Sequence, residues 1–257
     1  MSAFLKFVFA FVLSTGLSTM VFAKVGLSSA RLQGEDHAQA AVRLNNITSM
    51  YTTPQRMSKP LRELNLTQIP DVGSYSDLEN QFKYVRDIRI IEDTRKSSMR
   101  RLTWLYPDDG CFARAEMATR LLEENKFVTP KKVFVFGNLR APTKNAPGGF
   151  VEWWYHVAVI YRIDKTAYVF DPAINPARPV TLEEWNVAIG GSSSSRLQYA
   201  ICDHGTFDPN QDCLQPRQIE MEDAVSEQRM YLYPEWERLL QLHRNPEKEL
   251  GDFPPWL

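Results

Sequence analysis

Asp109-Gly110-Cys111-Phe112-Ala113-Arg114-Ala115 runs from a glycine turn through a cysteine into a stretch with helical spacing. Cys111, Ala115, Ala118 and Leu122 recur at intervals of three and four, and Glu123, Glu124 and Lys126 are polar. The pattern predicts a helix over residues 111–125, with Asp109 available to cap it. Cys111 then stands in the first turn. Unpaired backbone N–H groups and the positive end of the helix dipole stabilise a thiolate there, lowering a cysteine pKa from about 8.5 toward neutrality. A free cysteine is ordinarily a small buried apolar residue. Two downstream segments set Cys111 apart.

The first, Trp153-Trp154-Tyr155-His156-Val157-Ala158-Val159-Ile160-Tyr161, reads as a strand, and Tyr168-Val169-Phe170-Asp171-Pro172 as a second strand ending in an aspartate. Asp164-Lys165 makes the hairpin turn between them. His156 therefore lies early on one strand and Asp171 at the end of its antiparallel neighbour, so the two can face each other. Taken singly, His156 reads equally well as a core histidine and Asp171 as a turn residue before Pro172. Jointly, beside Gly-Cys at a helix start, they supply the three parts of a thiol site. The thiolate needs a base that later protonates the leaving group, and the imidazole needs a carboxylate to orient it and stabilise its charged form.

At these residues the chain resembles the bacterial protein-glutaminase family. The matching pieces are Asp109 to Ala115, Phe134-Val135-Phe136-Gly137-Asn138-Leu139, Trp154-Tyr155-His156-Val157-Ala158, Asp171-Pro172, and Pro179-Val180-Thr181 with Trp185 after it. They occur in the family's order and span roughly residues 107–185. The resemblance implies an α+β fold with a transglutaminase-like, cysteine-protease-like core, its nucleophile helix packed on an antiparallel sheet. It implies Cys111 as nucleophile, His156 as base and acid, and Asp171 as the partner that orients it. The implied reaction is deamidation of a protein or peptide glutamine to glutamate through a cysteine thioester, with no metal and no organic cofactor. Rival readings use the same three residues. A transglutaminase admits a lysine amine in place of water, and a cysteine protease cleaves the main-chain amide. A non-catalytic binding module is the alternative of another class.

The remaining sequence sets the frame. Residues 1–23 combine Lys6, an apolar run and Val21-Phe22-Ala23, the pattern of a cleaved secretory signal, which makes the protein secreted or periplasmic. The run is interrupted by Ser14, Thr15, Gly16, Ser18 and Thr19 and is short for a retained span. No stable membrane insertion is expected after cleavage. Residues 24–75 read as a polar extension outside the core, with a helix around 38–46; a linker, a helical cap and a propeptide stay open. Residues 76–257 form the expected catalytic domain, with a helical C-terminal segment. Its 44% apolar content in the full 257-residue chain suffices for a core. With Lys plus Arg at 30 and Asp plus Glu at 31, no nucleic-acid partner is indicated.

Three cysteines in an exported chain leave at least one unpaired within the monomer. Cys202 and Cys213 flank a loop rich in Asp, Gly, Pro and Asn and are the natural pair, though all three could stay reduced or Cys111 could pair instead. Leu78, Phe82, Val85, Ile88 and Ile91 predict a second amphipathic helix over 77–96. Arg95, Lys96, Arg100 and Arg101, offset by Glu92 and Asp93, are assigned no function. Residues 221–242 read as a helix interrupted at Pro234. His37, His204 and His243 show no zinc spacing and read as surface residues.

Overall fold

The computed structural model describes residues 34, 35, 39, 43, 52–192 and 196–257. The expected leader at 1–23, His37, and most of the helix expected at 38–46 lie outside them. The described chain runs α1 (Pro54–Met57), α2 (Tyr75–Asp87), β1 (Ile91–Asp93), β2 (Ser98–Arg100), α3 (Cys111–Glu124), β3 (Lys131–Pro142), β4 (Phe150–Ile163) and β5 (Thr166–Phe170). It continues through β6 (Val180–Thr181), α4 (Leu182–Ala188), β7 (Gln198–Cys202), α5 (Met221–Met230), α6 (Leu232–Gln241) and α7 (Pro246–Leu250). Helices and antiparallel sheets are mixed in one fold, as the α+β expectation has it. β1 and β2 make a small hairpin, and the other strands form a sheet of order β6-β5-β4-β3-β7.

Alternation along the central strands sends neighbouring residues to opposite sides. Val133, Val135, Ala158, Ile160 and Val169 join one buried cluster with Trp185 and Tyr199. Val159, Tyr161 and Phe170 meet Phe82 of α2 and Met117 and Leu121 of α3 in another. Lys132 and Glu116, both buried, form an ion pair of 2.6 Å that ties β3 to α3.

Several sequence expectations are corrected. The second helix ends at Asp87, and Ile91 sits buried in β1. Ile88, Ile90 and Ile91 are β-branched, a class that loses rotamer freedom in helices and fits a pleated surface. β3 crosses a bulge between Phe136 and Leu139 to reach Pro142. Gly137 is the bulge residue at φ 140°, where a Cβ would lie 2.6 Å from a Leu197 methyl. The C-terminal helices part at Tyr231, not Pro234. Pro234 stands in the first turn of α6, where a missing N–H breaks no helical bond.

Two charged stretches also differ. Arg100 is buried between Asp93 (3.1 Å) and Glu235 (2.7 Å), and Arg101 is buried with Nη1 donating to the Gly251 carbonyl (2.7 Å). His204 is half-buried against Glu123 (3.2 Å) and Asp203 (3.0 Å). Within the extension, Ile69 is 1% exposed in the core cluster of Val133 and Val135, so its described part contributes to the core. Lys59 pairs with Tyr199 at the free edge of β7, each residue's N–H meeting the other's carbonyl (2.8 and 2.7 Å).

Candidate active site

Helix α3 begins at Cys111, and Gly110 is its N-cap residue, in the left-handed region at φ 79°. No side chain caps the helix. Asp109, expected to do so, instead accepts from the Gly110 N–H at 2.7 Å and so stabilises the turn that precedes it. Cys202 and Cys213 are bonded, and Cys111 is the free cysteine, 7% exposed.

The turn is held from three sides. Arg114, one helical turn after Cys111 and 2% exposed, donates through Nη1 to the carbonyls of Asp109 (2.7 Å) and Tyr106 (3.0 Å), with a longer contact to Thr103 (3.4 Å). Trp153 donates through Nε1 to the carbonyls of Pro107 (3.0 Å) and Asp108 (3.2 Å). Tyr231 lies against Gly110, its ring 2.9 Å from where a Cβ would stand, so only glycine fits there.

His156 on β4 faces Asp171, the residue after β5, with Nε2 donating to Oδ2 at 2.7 Å. The same oxygen accepts from Trp185 Nε1 at 2.9 Å. Trp185 rides on α4, whose start is fixed by a capping box between Thr181 and Glu184. The His156 ring stacks with Trp153 (4.6 Å, planes 9° apart) and with Trp185 (5.7 Å, 29°). Trp154 is buried among Phe136 and Tyr155.

Cys111, Arg114, Ala115, His156, Val157 and Asp171 share the lining of one small cavity, so the three residues singled out in the sequence meet. His156 Nδ1 is buried with no hydrogen bond of standard geometry, and Cys111 acts on the ring as a nearby charge and acceptor. Burial opposes the imidazolium, but Asp171 and Cys111 outweigh it and push the His156 pKa up to about 9. Burial likewise opposes the Asp171 carboxylate, yet His156 and Trp185 hold it below the usual range. An imidazole that shares a small cavity with a cysteine and is oriented by a buried carboxylate can hold a proton and pass it on.

Tyr155 and Tyr231 bring buried phenols to this region, each pushed upward by burial and by the charges of Cys111 and Asp109. Sequence reasoning missed the parts played by Arg114, Trp185 and Tyr231. Arg114 and Trp185 stand inside quoted motifs, but nothing in the spacing assigns them partners. Among the described residues no group of three His, Cys, Asp or Glu could hold a metal ion.

Residues 78–189 match the profile of a family described as glutaminase. Against curated proteins the sequence has no match. Among solved structures the chain is similar to the protein-glutaminase of Chryseobacterium proteolyticum determined by NMR. The identity is 27% and the TM-score 0.46, over 62% of this chain and 84% of that one. A crystal structure of protein-glutaminase is also 27% identical, at TM-score 0.43 and with the same shares of both chains. A mutant of pro-protein-glutaminase is 26% identical at TM-score 0.48, over 63% of this chain and 58% of that one.

Proposed function

We propose, from the match of residues 78–189 to the glutaminase family, that the protein deamidates glutamine side chains of proteins or peptides. Cys111 attacks the carboxamide carbon, the tetrahedral intermediate collapses to a thioester, and ammonia departs with a proton from His156. Water, deprotonated by the same imidazole, then hydrolyses the thioester to glutamate and frees the thiol. Asp171 stays charged and holds the ring in place. The backbone N–H of Cys111, at the open N-terminus of α3, is positioned to serve the oxyanion.

The observation that carries this reading is the buried His156–Asp171 pair, 2.7 Å apart, at the head of the helix that starts with Cys111. The reading includes a transglutaminase-like core. It also includes a cleaved leader over residues 1–23 and an exported, secreted or periplasmic protein. The Cys202–Cys213 bridge supports export, since such bonds persist in oxidising compartments. Among the described residues no helix is long and apolar enough to cross a membrane. Residues 24–75 are read as an N-terminal extension, with removal as a propeptide one form of it.

The test is incubation of the purified protein with a glutamine-containing peptide, with Cys111→Ala as control. Ammonia release with a mass gain of about one dalton, absent from the variant, is the expected result. Cross-linking to an added amine or cleavage of the main chain would redirect the assignment. No change in any accessible glutamine would overturn it.

A further inference from the structure

The loop that delivers Cys111 is braced by the C-terminal helices, which lie outside the 78–189 family match. Four contacts run from α5, α6 and the intervening Tyr231 to residues 103–110. Gln228 donates to the Thr103 hydroxyl (2.8 Å), and Glu235 accepts from the Leu105 N–H (2.8 Å). Arg238 grips both carboxylate oxygens of Asp108, with Nη2 to Oδ1 at 2.9 Å, and also donates to the Asn145 carbonyl (2.9 Å). Tyr231 lays its ring on Gly110 and packs edge-on to Phe112, 6.2 Å between centroids.

We propose that the C-terminal helical pair positions the nucleophile, with Tyr231 on Gly110 and Arg238 on Asp108 as the positioning residues. Gly110 sits in a left-handed conformation that the sequence on its own does not impose, because glycine visits both hands freely. A flat ring packed on that glycine, and a bidentate arginine on the residue two before it, select one of those conformations. Bidentate guanidinium–carboxylate pairs fix direction as well as distance. The Cys111 sulfur is thereby aimed at His156, and displacement of about 1 Å in such a pairing costs on the order of a hundredfold in rate. Neither Tyr231 nor Arg238 needs to touch substrate for this.

The rate effect rests on the deamidase reading, so the experiment has an arm independent of it. In the full-length chain, Arg238→Met, Tyr231→Leu and Tyr231→Phe are compared with wild type. One arm measures ammonia release from a glutamine peptide. The other measures Cys111 alkylation by iodoacetamide from pH 5 to 10. Arg238→Met is expected to lower kcat about tenfold or more with KM within about twofold, and to slow alkylation at neutral pH by a similar factor. Tyr231→Leu is expected to lower kcat likewise, and Tyr231→Phe, which keeps the ring, to recover most of that loss. Circular dichroism and an intact Cys202–Cys213 bridge establish that each variant is folded. A folded Arg238→Met protein that alkylates at the wild-type rate across the pH range overturns the inference, whatever the substrate proves to be. Loss of ammonia release in the wild type with normal alkylation kinetics would instead count against the deamidase reading alone.

Discussion

Trp153 lies flat on His156, with ring centroids 4.6 Å apart and planes 9° from parallel, while its Nε1 donates to the Pro107 carbonyl at 3.0 Å. One indole thus touches His156 and the loop that carries Cys111. Rotation of the His156 ring is blocked on that side, and the distance from β4 to the Cys111 turn is fixed by a rigid body.

Removing the donor while keeping an aromatic ring against His156 should separate the two roles. Trp153→Phe is expected to cost about 1 kcal/mol of stability, the net worth of a hydrogen bond, and to reduce kcat more than KM. Trp153→Ala also removes the packing and should cost about 3–5 kcal/mol. Urea unfolding combined with steady-state kinetics distinguishes them. Equal kinetic effects of the two substitutions would mean the Pro107 contact carries all of the function.

The His156–Asp171 pair predicts a pH window. In the folded protein the His156 pKa stands at about 9, above its ordinary 6.5. Its contribution to stability is therefore complete below 6.5 and is lost as pH rises through about 9. The stability difference between wild type and Asp171→Asn should be largest near pH 6 and shrink past 9. A difference that stays constant from pH 6 to pH 10 would refute the linkage.

Cys111 is one of the groups that raise the His156 pKa, so Cys111→Ala should lower it. NMR titration of the His156 ring in that variant reads the shift directly. An unmoved midpoint would mean the sulfur and the imidazole do not interact in the resting protein.

Arg114 supplies hydrogen bonds to the Asp109 and Tyr106 carbonyls from a site with almost no solvent contact. Arg114→Met leaves those acceptors without their donor and is expected to cost about 2–3 kcal/mol, with a fall in kcat as the turn loosens. Arg114→Lys should recover only part, because the ammonium sits on a shorter stem than the Nη1 that meets all of these carbonyls. Thermal unfolding and ammonia release provide the two readouts.

The bridge between Cys202 and Cys213 closes a short loop with a sequence separation of 11, and the loop's Phe207 packs edge-on to Phe112, 5.1 Å between centroids. Replacing both cysteines by serine is expected to cost about 2–4 kcal/mol. Activity should fall with it at temperatures where the loop opens, a coupling visible when unfolding and activity are measured on the same sample.

Much of the site was legible because its parts are short-range signals. A cysteine after glycine at the start of a 3.6-residue period, a histidine on an apolar strand and an aspartate after the next strand each leave a local trace. The hairpin turn at Asp164-Lys165 fixes the register that pairs Val159 with Phe170, which leaves Asp171, the next residue, within side-chain reach of His156. The mixing of helices with antiparallel sheet was an implication of the family resemblance, and the element order agrees with it.

What stayed hidden depends on contacts between distant segments. Trp185 bonds to Asp171 only because α4 folds back over the sheet, and Arg100 is buried only because Glu235 arrives from a helix 135 residues later. Tyr231 reads as one more aromatic in an amphipathic stretch until Gly110 is seen beneath it. The helix expected to reach residue 96 failed for a related reason. Spacing of three and four describes Leu78, Phe82 and Val85, and chance extends it into the isoleucines of a hairpin.

Lys59 occupies the outer side of β7, where it meets the main chain of Tyr199. An uncovered strand margin is a template on which other chains can assemble into aggregates. Any proteolytic trimming of the N-terminus is therefore constrained by solubility: a cut ahead of Thr52 spares this cover, whereas one beyond Lys59 would strip it away.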